Sequence, residues 1–280
     1  MLLQDHLPLD PVDTSVASPE SLPLNPPLKW AGGKRWLLPH LAPLWRLHNT
    51  RRLVEPFCGG LAVTLGLRPV VALLNDANPH LINFYRQIQQ GLEVSIQVEN
   101  TEETYYQHRT RFNELIREGQ AQSSEAAQLF YYLNRTGYNG LCRFNRKGFY
   151  NVPFGSYRQI NYVKDFHKYR DRMKRWLFTC SDFEALDVSP SDFIYADPPY
   201  DVEFTSYSAG GFSWEDQVRA AIWLSKHRGL VVLSNQATQR IVSLYEDLGF
   251  ELRFYDAPRR ISCDGNRTAA QEVLAIKYPS

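Results

Sequence analysis

The tetrapeptide Asp197-Pro198-Pro199-Tyr200 directly follows the apolar run Phe193-Ile194-Tyr195-Ala196. A short apolar run rich in aromatic and β-branched residues predicts a buried strand, and two prolines end it abruptly. The strand therefore delivers an acid and an aromatic ring to the rim of a sheet, where open α/β sheets bind ligands. Proline has no N–H, so this turn presents acceptors: the Asp197 carboxylate and the Pro198 carbonyl. Acceptors beside a flat ring suit an exocyclic amine, such as adenine N6, whose lone pair must be drawn out of the ring before the nitrogen is alkylated. Asp and Pro also build ordinary turns, so the motif takes its meaning from its surroundings.

The elements that must position it are legible in the pattern. Residues 52–57 predict a strand, the turn Cys58-Gly59-Gly60 follows, and residues 61–67 predict a helix. Residues 70–74 predict a second strand ending at Asn75-Asp76, and a helix is expected over 79–90. Strand and helix in alternation specify a parallel sheet. Residues 91–130 have polar helical spacing, whereas 131–162 are rich in aromatic residues, Asn, Gly and Arg, as in loops and a hairpin. The sheet resumes at 193–196, followed by a helix over 214–227, a strand at 230–234, a helix to about 248, and strands at 251–255 and 272–277. The expected fold is α/β and Rossmann-like, with an inserted helical and β-hairpin subdomain over 91–170 between catalytic segments 28–90 and 171–280. Residues 1–27 carry Pro8, Pro11, Pro19, Pro23, Pro26 and Pro27 and read as a mobile acidic tail.

Net charge is only +1 over 280 residues, but it is unevenly placed. The tail has four acids and no Lys or Arg, while residues 134–175 hold eleven Lys/Arg against Asp165 and Asp171. Such a patch attracts a phosphate backbone, and interleaved Tyr138, Phe144, Phe149, Tyr150, Phe154, Tyr157 and Tyr162 are what bases stack against. Cys58, Cys142, Cys180 and Cys263 have neither disulfide-framework nor zinc spacing, and no metal site is expected. No apolar stretch approaches membrane-spanning length and the N-terminus lacks a basic leader, so a reduced, cytoplasmic protein is expected.

Read in order, Lys29-Trp30-Ala31-Gly32-Gly33-Lys34, Glu55-Pro56-Phe57-Cys58-Gly59-Gly60, Asn75-Asp76, the stretch from Tyr132 to Asn145, Asn151-Val152-Pro153-Phe154-Gly155 and Asp197-Pro198-Pro199-Tyr200 closely resemble the Dam-type DNA adenine N6-methyltransferases. The resemblance covers residues 28–278. It implies S-adenosylmethionine as cofactor, double-stranded DNA as partner, methylation within GATC by base flipping, a monomer in solution and nucleoid association. It also implies Asp197, Pro198 and Tyr200 as catalytic residues, with Trp30, Lys34, Glu55, Phe57, Gly59, Gly60, Asp76 and Asp197 at the cofactor. DNA contacts carry over to Lys29, Tyr138, Asn139, Leu141, Arg143, Pro153 and Tyr157.

Several of these assignments have a physical rationale. Gly59 and Gly60 let backbone approach a ligand closely. Asp76, at a strand end, suits ribose hydroxyls, although such an Asp also caps helices. Lys34 is expected to pair with the cofactor carboxylate or an enzyme acid. Gly32-Gly33-Lys34 fails the phosphate-loop pattern because Arg35 follows the lysine. Arg143 suits bidentate contact with guanine, Leu141 and Pro153 suit a thymine methyl, and Tyr138 with Asn139 suits the gap left by a flipped base. Arg259, Arg260 and Arg267 are candidates for backbone contacts or an ordinary surface loop. Leu61 stands where the family usually has glycine, and its side chain crowds the cofactor unless Gly60 makes the close approach. The alternatives are a catalytically silent DNA-binding regulator on the same fold, or a methylase of another amine or site.

Overall fold

In the computed structural model, the residues described are 24–201, 212–257 and 270–279. The arginines 259, 260 and 267 and most of the N-terminal tail fall outside them. Parallel strands β1 (Leu53–Glu55), β2 (Ala72–Asn75), β3 (Trp176–Thr179), β4 (Phe193–Ala196) and β5 (Val231–Gln236) join β6 (Glu251–Ala257) and β7 (Ala270–Lys277) in one sheet. The spatial order is β3-β2-β1-β4-β5-β7-β6, with β7 antiparallel to both neighbours. Every residue of β1, β2 and β4 is buried, which is why these strands read as unbroken apolar runs rather than alternating ones. Strand β1 lies between β2 and β4, so the chain departs to one side and returns on the other. The crevice at the C-terminal ends of β1 and β4 is the topological switch point of the sheet.

The helices are α1 (Leu38–Arg46), α2 (Ala62–Leu67), α3 (Pro79–Gln89), α4 (Glu102–Arg117), α5 (Ser124–Thr136), α6 (His167–Met173), α7 (Trp214–Ser225) and α8 (Gln239–Asp247). Their starts follow from capping chemistry. Asn78 accepts hydrogen bonds from the amides of His80 and Leu81 with Pro79 in the first turn, and Ser213 and Asp216 form a reciprocal capping box. None is long and apolar enough to cross a membrane, among the described residues.

Three elements were not foreseen: α1, α6 and β3. Pro39 and Pro43 mask α1; Pro39 falls in its first turn, where no amide hydrogen is needed, and Pro43 sits inside the helix. Among the described residues, strand β3 is an edge strand with Leu177 exposed, and β2 is its single neighbour in the sheet. The segment 91–130 is not one helical stretch: α4 and α5 are separated by a turn, and residues 91–101 are outside helix. Helix α5 then continues to Thr136, into a region expected to be loop. It is buried on nearly every side from Ala126 to Thr136, with Gln128, Asn134 and Thr136 included, so its polar residues do not mark a solvent face.

Residues 137–155 fold back as a hairpin without a regular ladder. Isolated bridges Gly137↔Phe154 and Phe144↔Tyr150 close it, with Asn151 N donating to Arg143 O at 3.1 Å. The core is continuous across residue 90: Phe84 of α3 stacks on Tyr131 of α5 at 5.5 Å and meets Phe166 edge-on at 5.7 Å. At the other end of the chain, Leu24 packs against this core and the Asn25 carbonyl accepts the Tyr169 hydroxyl at 2.7 Å, so ordered contacts begin ahead of Leu28.

Candidate active site

A cavity of about 1080 Å³ opens at the C-terminal ends of the parallel strands and reaches the segment containing Trp30 and Lys34. Its walls bring together residues far apart in the chain: Glu55 and Phe57 after β1, Asp76 after β2, and Asp197 with Tyr200 after β4.

The turn after β4 is held from beneath by β5 and α7. Ser234 donates to Asp197 Oδ1 at 2.9 Å, and Gln217 donates to the Pro199 carbonyl at 2.7 Å. Asn235, fully buried, donates to Gln217 at 3.0 Å and to the Tyr245 hydroxyl at 3.1 Å. Asp201 is anchored by Arg240 and by Thr238. A buried polar network whose members are each bonded fixes one geometry for the turn.

Lys34 is 2% exposed, and an isolated buried ammonium is unfavourable. It answers the sequence question by pairing with an enzyme acid: Nζ lies 2.9 Å from Asp197 Oδ1 and 3.8 Å from Glu272 Oε2. It also donates to the Tyr200 hydroxyl at 2.5 Å and to the Gly32 carbonyl at 3.1 Å. The Tyr200 hydroxyl in turn donates to Glu272, and Lys34 Nζ lies 4.4 Å from the Tyr200 ring centroid.

At the β1 end, Glu55 is buried and accepts the Thr64 hydroxyl. Burial pushes its carboxyl up to about 8, against the lowering effect of the Thr64 bond. Asp76 Oδ2 accepts the Gly59 amide at 3.1 Å and Oδ1 the Asn78 amide at 2.9 Å; burial raises its pKa against those two bonds. The cap of α3 is Asn78, so Asp76 is free of that duty. The glycine pair lines the cavity and is also closely approached by Trp30. A Cβ on Gly59 would lie 2.7 Å from Trp30 Nε1, and one on Gly60 would lie 2.8 Å from Trp30 Cβ.

The Leu61 side chain stays out of the cavity. Its φ of 60° and ψ of 28° are left-handed, which accounts for a glycine preference there, but its side chain is fully buried in the core and does not line the cavity. The departure from glycine is a matter of backbone strain, not of crowding.

Sequence reasoning missed Asp182, Phe183, Ser234 and Glu272. Asp182 and Phe183 line the cavity just past β3, and Phe183 meets Phe57 at 5.5 Å. Arg219 pairs with Asp182 at 2.8 Å and lies 4.4 Å over the Phe183 ring. Recognition of β3 as a strand would have pointed to both residues, because ligands collect at parallel strand ends. Glu272 carried only the weak signal of one acid opening an apolar strand.

The hairpin brings the other candidates to one side. Tyr138 is 49% exposed, and Asn139 (φ 52°) and Pro153 are exposed beside it, linked through the Tyr138 amide to the Pro153 carbonyl at 2.9 Å. Leu141 is half-buried against the core. Arg143 is exposed, and Asn151 holds it at 2.8 Å through Nε and 3.1 Å through Nη2. Lys29 and Tyr157 are turned toward each other: Lys29 Nζ lies 3.4 Å from the Tyr157 ring centroid and donates to the Arg135 carbonyl at 2.8 Å. Burial, helped by the Arg135 charge, lowers the Lys29 ammonium to about 8.

Residues 30–258 match the family model described as D12 class N6 adenine-specific DNA methyltransferase. The chain is 36% identical to the DNA adenine methylase of Vibrio cholerae over 90% of its length and 95% of the relative's. It is 35% identical to the retron Ec67 DNA adenine methylase of Escherichia coli, covering 89% and 90% of the two chains. The type II methyltransferase M1.LlaDCHI of Lactococcus lactis subsp. cremoris is 33% identical, with 91% and 96% covered. The site geometry and these likenesses agree, and the chain belongs to the D12 class of N6 adenine-specific DNA methyltransferases.

Proposed function

We propose that the protein transfers a methyl group from S-adenosylmethionine to N6 of an adenine flipped out of duplex DNA, within GATC. The observation that carries this reading is the convergence on one cavity of the acceptor turn after β4, the acid after β2 and the aromatic pair Phe57 and Phe183.

S-adenosylmethionine supplies a methyl group made electrophilic by a cationic sulfonium. The residues present fit it. The Trp30 ring and the Glu55 carboxyl are suited to a cation, and Phe57 and Phe183 offer flat apolar faces. The Asp76 carboxylate has lone pairs for ribose hydroxyls beyond those given to Gly59 and Asn78. Asp182 is an acceptor for a ring amine at the same end.

Asp197 and the Pro198 carbonyl accept the two N6 hydrogens, which localises the nitrogen lone pair. Lys34 and Ser234 hold Oδ1 of Asp197, so Oδ2 faces the amine. Tyr200, with Lys34 over one face of its ring, stacks on the base with the other. Flipping costs a few kcal/mol of unstacking, and fixed positioning of amine and acceptors supplies much of the acceleration.

Residues 91–170 read the DNA in this scheme. Asn151 fixes Arg143 so that its outer nitrogens meet guanine O6 and N7. Tyr138 and Asn139 wedge into the vacated stack, Leu141 and Pro153 touch a thymine methyl, and Lys29 with Tyr157 braces the turn against the duplex.

The test is expression in a host without adenine methylation, with N6-methyladenine mapped across the recovered DNA. Methylation at every GATC supports the reading, a different motif overturns the Arg143 assignment, and none overturns the activity. Asp197→Ala should abolish methylation while DNA binding persists. Arg143→Ala should lose about 1–3 kcal/mol of discrimination at an outer base pair; uniform weakening would instead mark a phosphate contact.

A further inference from the structure

At the end of the cavity past β3, one guanidinium touches both an acid and an aromatic ring of the wall. Arg219 donates through Nη1 to Asp182 Oδ1 at 3.0 Å and through Nη2 to Asp182 Oδ2 at 2.8 Å. Its charged centre also lies 4.4 Å over the Phe183 ring. Asp182, Phe183 and Arg219 all line the cavity. Phe57 and Phe212 complete the aromatic wall, at 5.5 and 6.2 Å from Phe183.

The arginine is itself fixed by its own helix and by Glu184. Nη1 donates to Glu184 Oε2 at 2.9 Å and Nη2 to Asp216 Oδ1 at 3.0 Å, so all four outer N–H groups are used. Asp216 belongs to the capping box that starts α7, and its neighbour Gln217 ties the same helix to the Pro199 carbonyl at 2.7 Å. Asp182 stands in a weaker place. Among the described residues it follows an edge strand, and its own segment supplies one bond, from the Glu184 amide at 3.0 Å. It is exposed, and a carboxylate so placed turns to water unless something holds it. Exposed ion pairs add little to stability, but a forked arginine fixes the plane of a carboxylate.

The bonds leave one position open. Asp182 Oδ1 takes Arg219 and the Glu184 amide, whereas Oδ2 takes Arg219 and, among the described residues, keeps a lone pair. Three carboxylates share one cation, so this corner is net negative. The Arg219 bonds, against burial, hold the Asp182 carboxyl below the ordinary aspartate range. A fixed anion of this kind attracts an N–H and repels a carbonyl oxygen.

We propose that Arg219 is a positioning residue that makes this end of the cofactor site select a 6-amino purine over a 6-oxo purine, by holding Asp182 as a fixed acceptor beside Phe183. The proposal rests on S-adenosylmethionine as the cofactor. A lysine at this position would bring the charge without the fork, because an ammonium is a point charge and does not grip both carboxylate oxygens in one plane.

Titration calorimetry of the full chain with S-adenosylhomocysteine and with its deaminated form, S-inosylhomocysteine, reads the selectivity. Wild type should prefer the amino form by roughly 10- to 100-fold, since the other form sets a carbonyl against a held carboxylate. In Arg219→Ala the preference should fall to within about threefold, mainly through weaker binding of the amino form. Arg219→Lys should lie between. Asp182→Ala should match R219A, and the double variant should lose nothing more. Arg219 is half-buried at the surface, so its removal spares the core, and thermal unfolding checks this. R219K keeps the charge and carries the comparison even where R219A melts early. An R219A protein with the wild-type preference overturns the proposal. Equal weakening of both ligands also overturns it, because Arg219 would then be structural. Full preference in R219K overturns the fork, and further loss in the double variant overturns action through Asp182. A wild-type chain that binds both forms equally overturns the selectivity and leaves the cofactor reading standing, whereas one that binds neither overturns the cofactor reading itself.

Discussion

Replacement of Leu61 tests whether its side chain serves the core or crowds the cavity. Leu61 precedes α2 with φ 60° and is fully buried. Two terms oppose each other in Leu61→Gly. Loss of a buried leucine costs about 2–5 kcal/mol, whereas relief of a left-handed backbone returns about 1–2 kcal/mol. The net is a destabilisation of about 0–4 kcal/mol, the upper end lowering Tm by roughly 8–16 °C for a chain of this size. Leu61→Ala loses the packing but keeps the strain. L61G should therefore be more stable than L61A by about 1 kcal/mol, the reverse of the usual order, in which glycine loses about 0.5–1 kcal/mol to alanine. Urea unfolding of the three proteins measures this. Because Leu61 does not line the cavity, calorimetric affinity for S-adenosylmethionine should stay within about threefold of wild type. A glycine variant as stable as wild type that binds cofactor markedly more tightly would refute the reasoning, and would show that the leucine side chain obstructs the site.

Two further outcomes depend on pH. Glu55 titrates near 8 in the folded protein against 4.5 unfolded, so its stabilising contribution is full below the lower value and is lost as pH rises through the higher. A bound cation favours the carboxylate, so affinity for S-adenosylmethionine should rise as pH goes from about 6 to 8, with proton release. Titration calorimetry in buffers of different ionisation enthalpy reads this, and Glu55→Gln should flatten it. His80 is held neutral by burial, its pKa lowered from 6.5 to about 4, and its ring stacks on Phe144 at 4.7 Å. The unfolded chain binds the proton first as pH falls from 6.5 toward 4, so up to about 3 kcal/mol of stability should be lost across that window. Urea midpoints should show this acid limb in wild type and its loss in His80→Leu.

The sequence displayed the centre of this sheet well and its margins poorly, for a physical reason. Strands β1, β2 and β4 are covered on both faces, so selection for burial acts on every residue and the runs stand out. Strand β3, at the edge, alternates buried Trp176 and Phe178 with exposed Leu177, and four residues of such a pattern resemble the loop around them. Missing it hid Asp182 and Phe183, which the strand aims at the cavity. Side-chain partners were legible only as options. Lys34 had two plausible acids by chemistry, and only folding places it between Asp197 and Glu272, from strands 75 positions apart in the sequence. The glycine pair was readable as a demand for close approach, but one approaching group, Trp30, lies almost thirty residues upstream.

The spacing between Asp76 and the hairpin around Arg143 is set by one helix rather than by a loop. Asp76 receives the Asn78 amide, Asn78 caps α3 and also donates to Cys142 Sγ at 3.3 Å, and two residues on, His80 stacks beneath Phe144. Cys142 and Phe144 flank Arg143 in the chain. A loop in that role would let Arg143 drift relative to the cavity, whereas a capped helix buried along Leu81, Phe84, Tyr85 and Ile88 has no such freedom. The same packing accounts for the burial of α5, at the root of the hairpin, on nearly all sides: it is pressed against α3 through Phe84 and Tyr131. Separated from α3, that helix would expose two aromatic layers to water; joined to it, the hairpin carrying Arg143 and the turn holding Asp76 become one body.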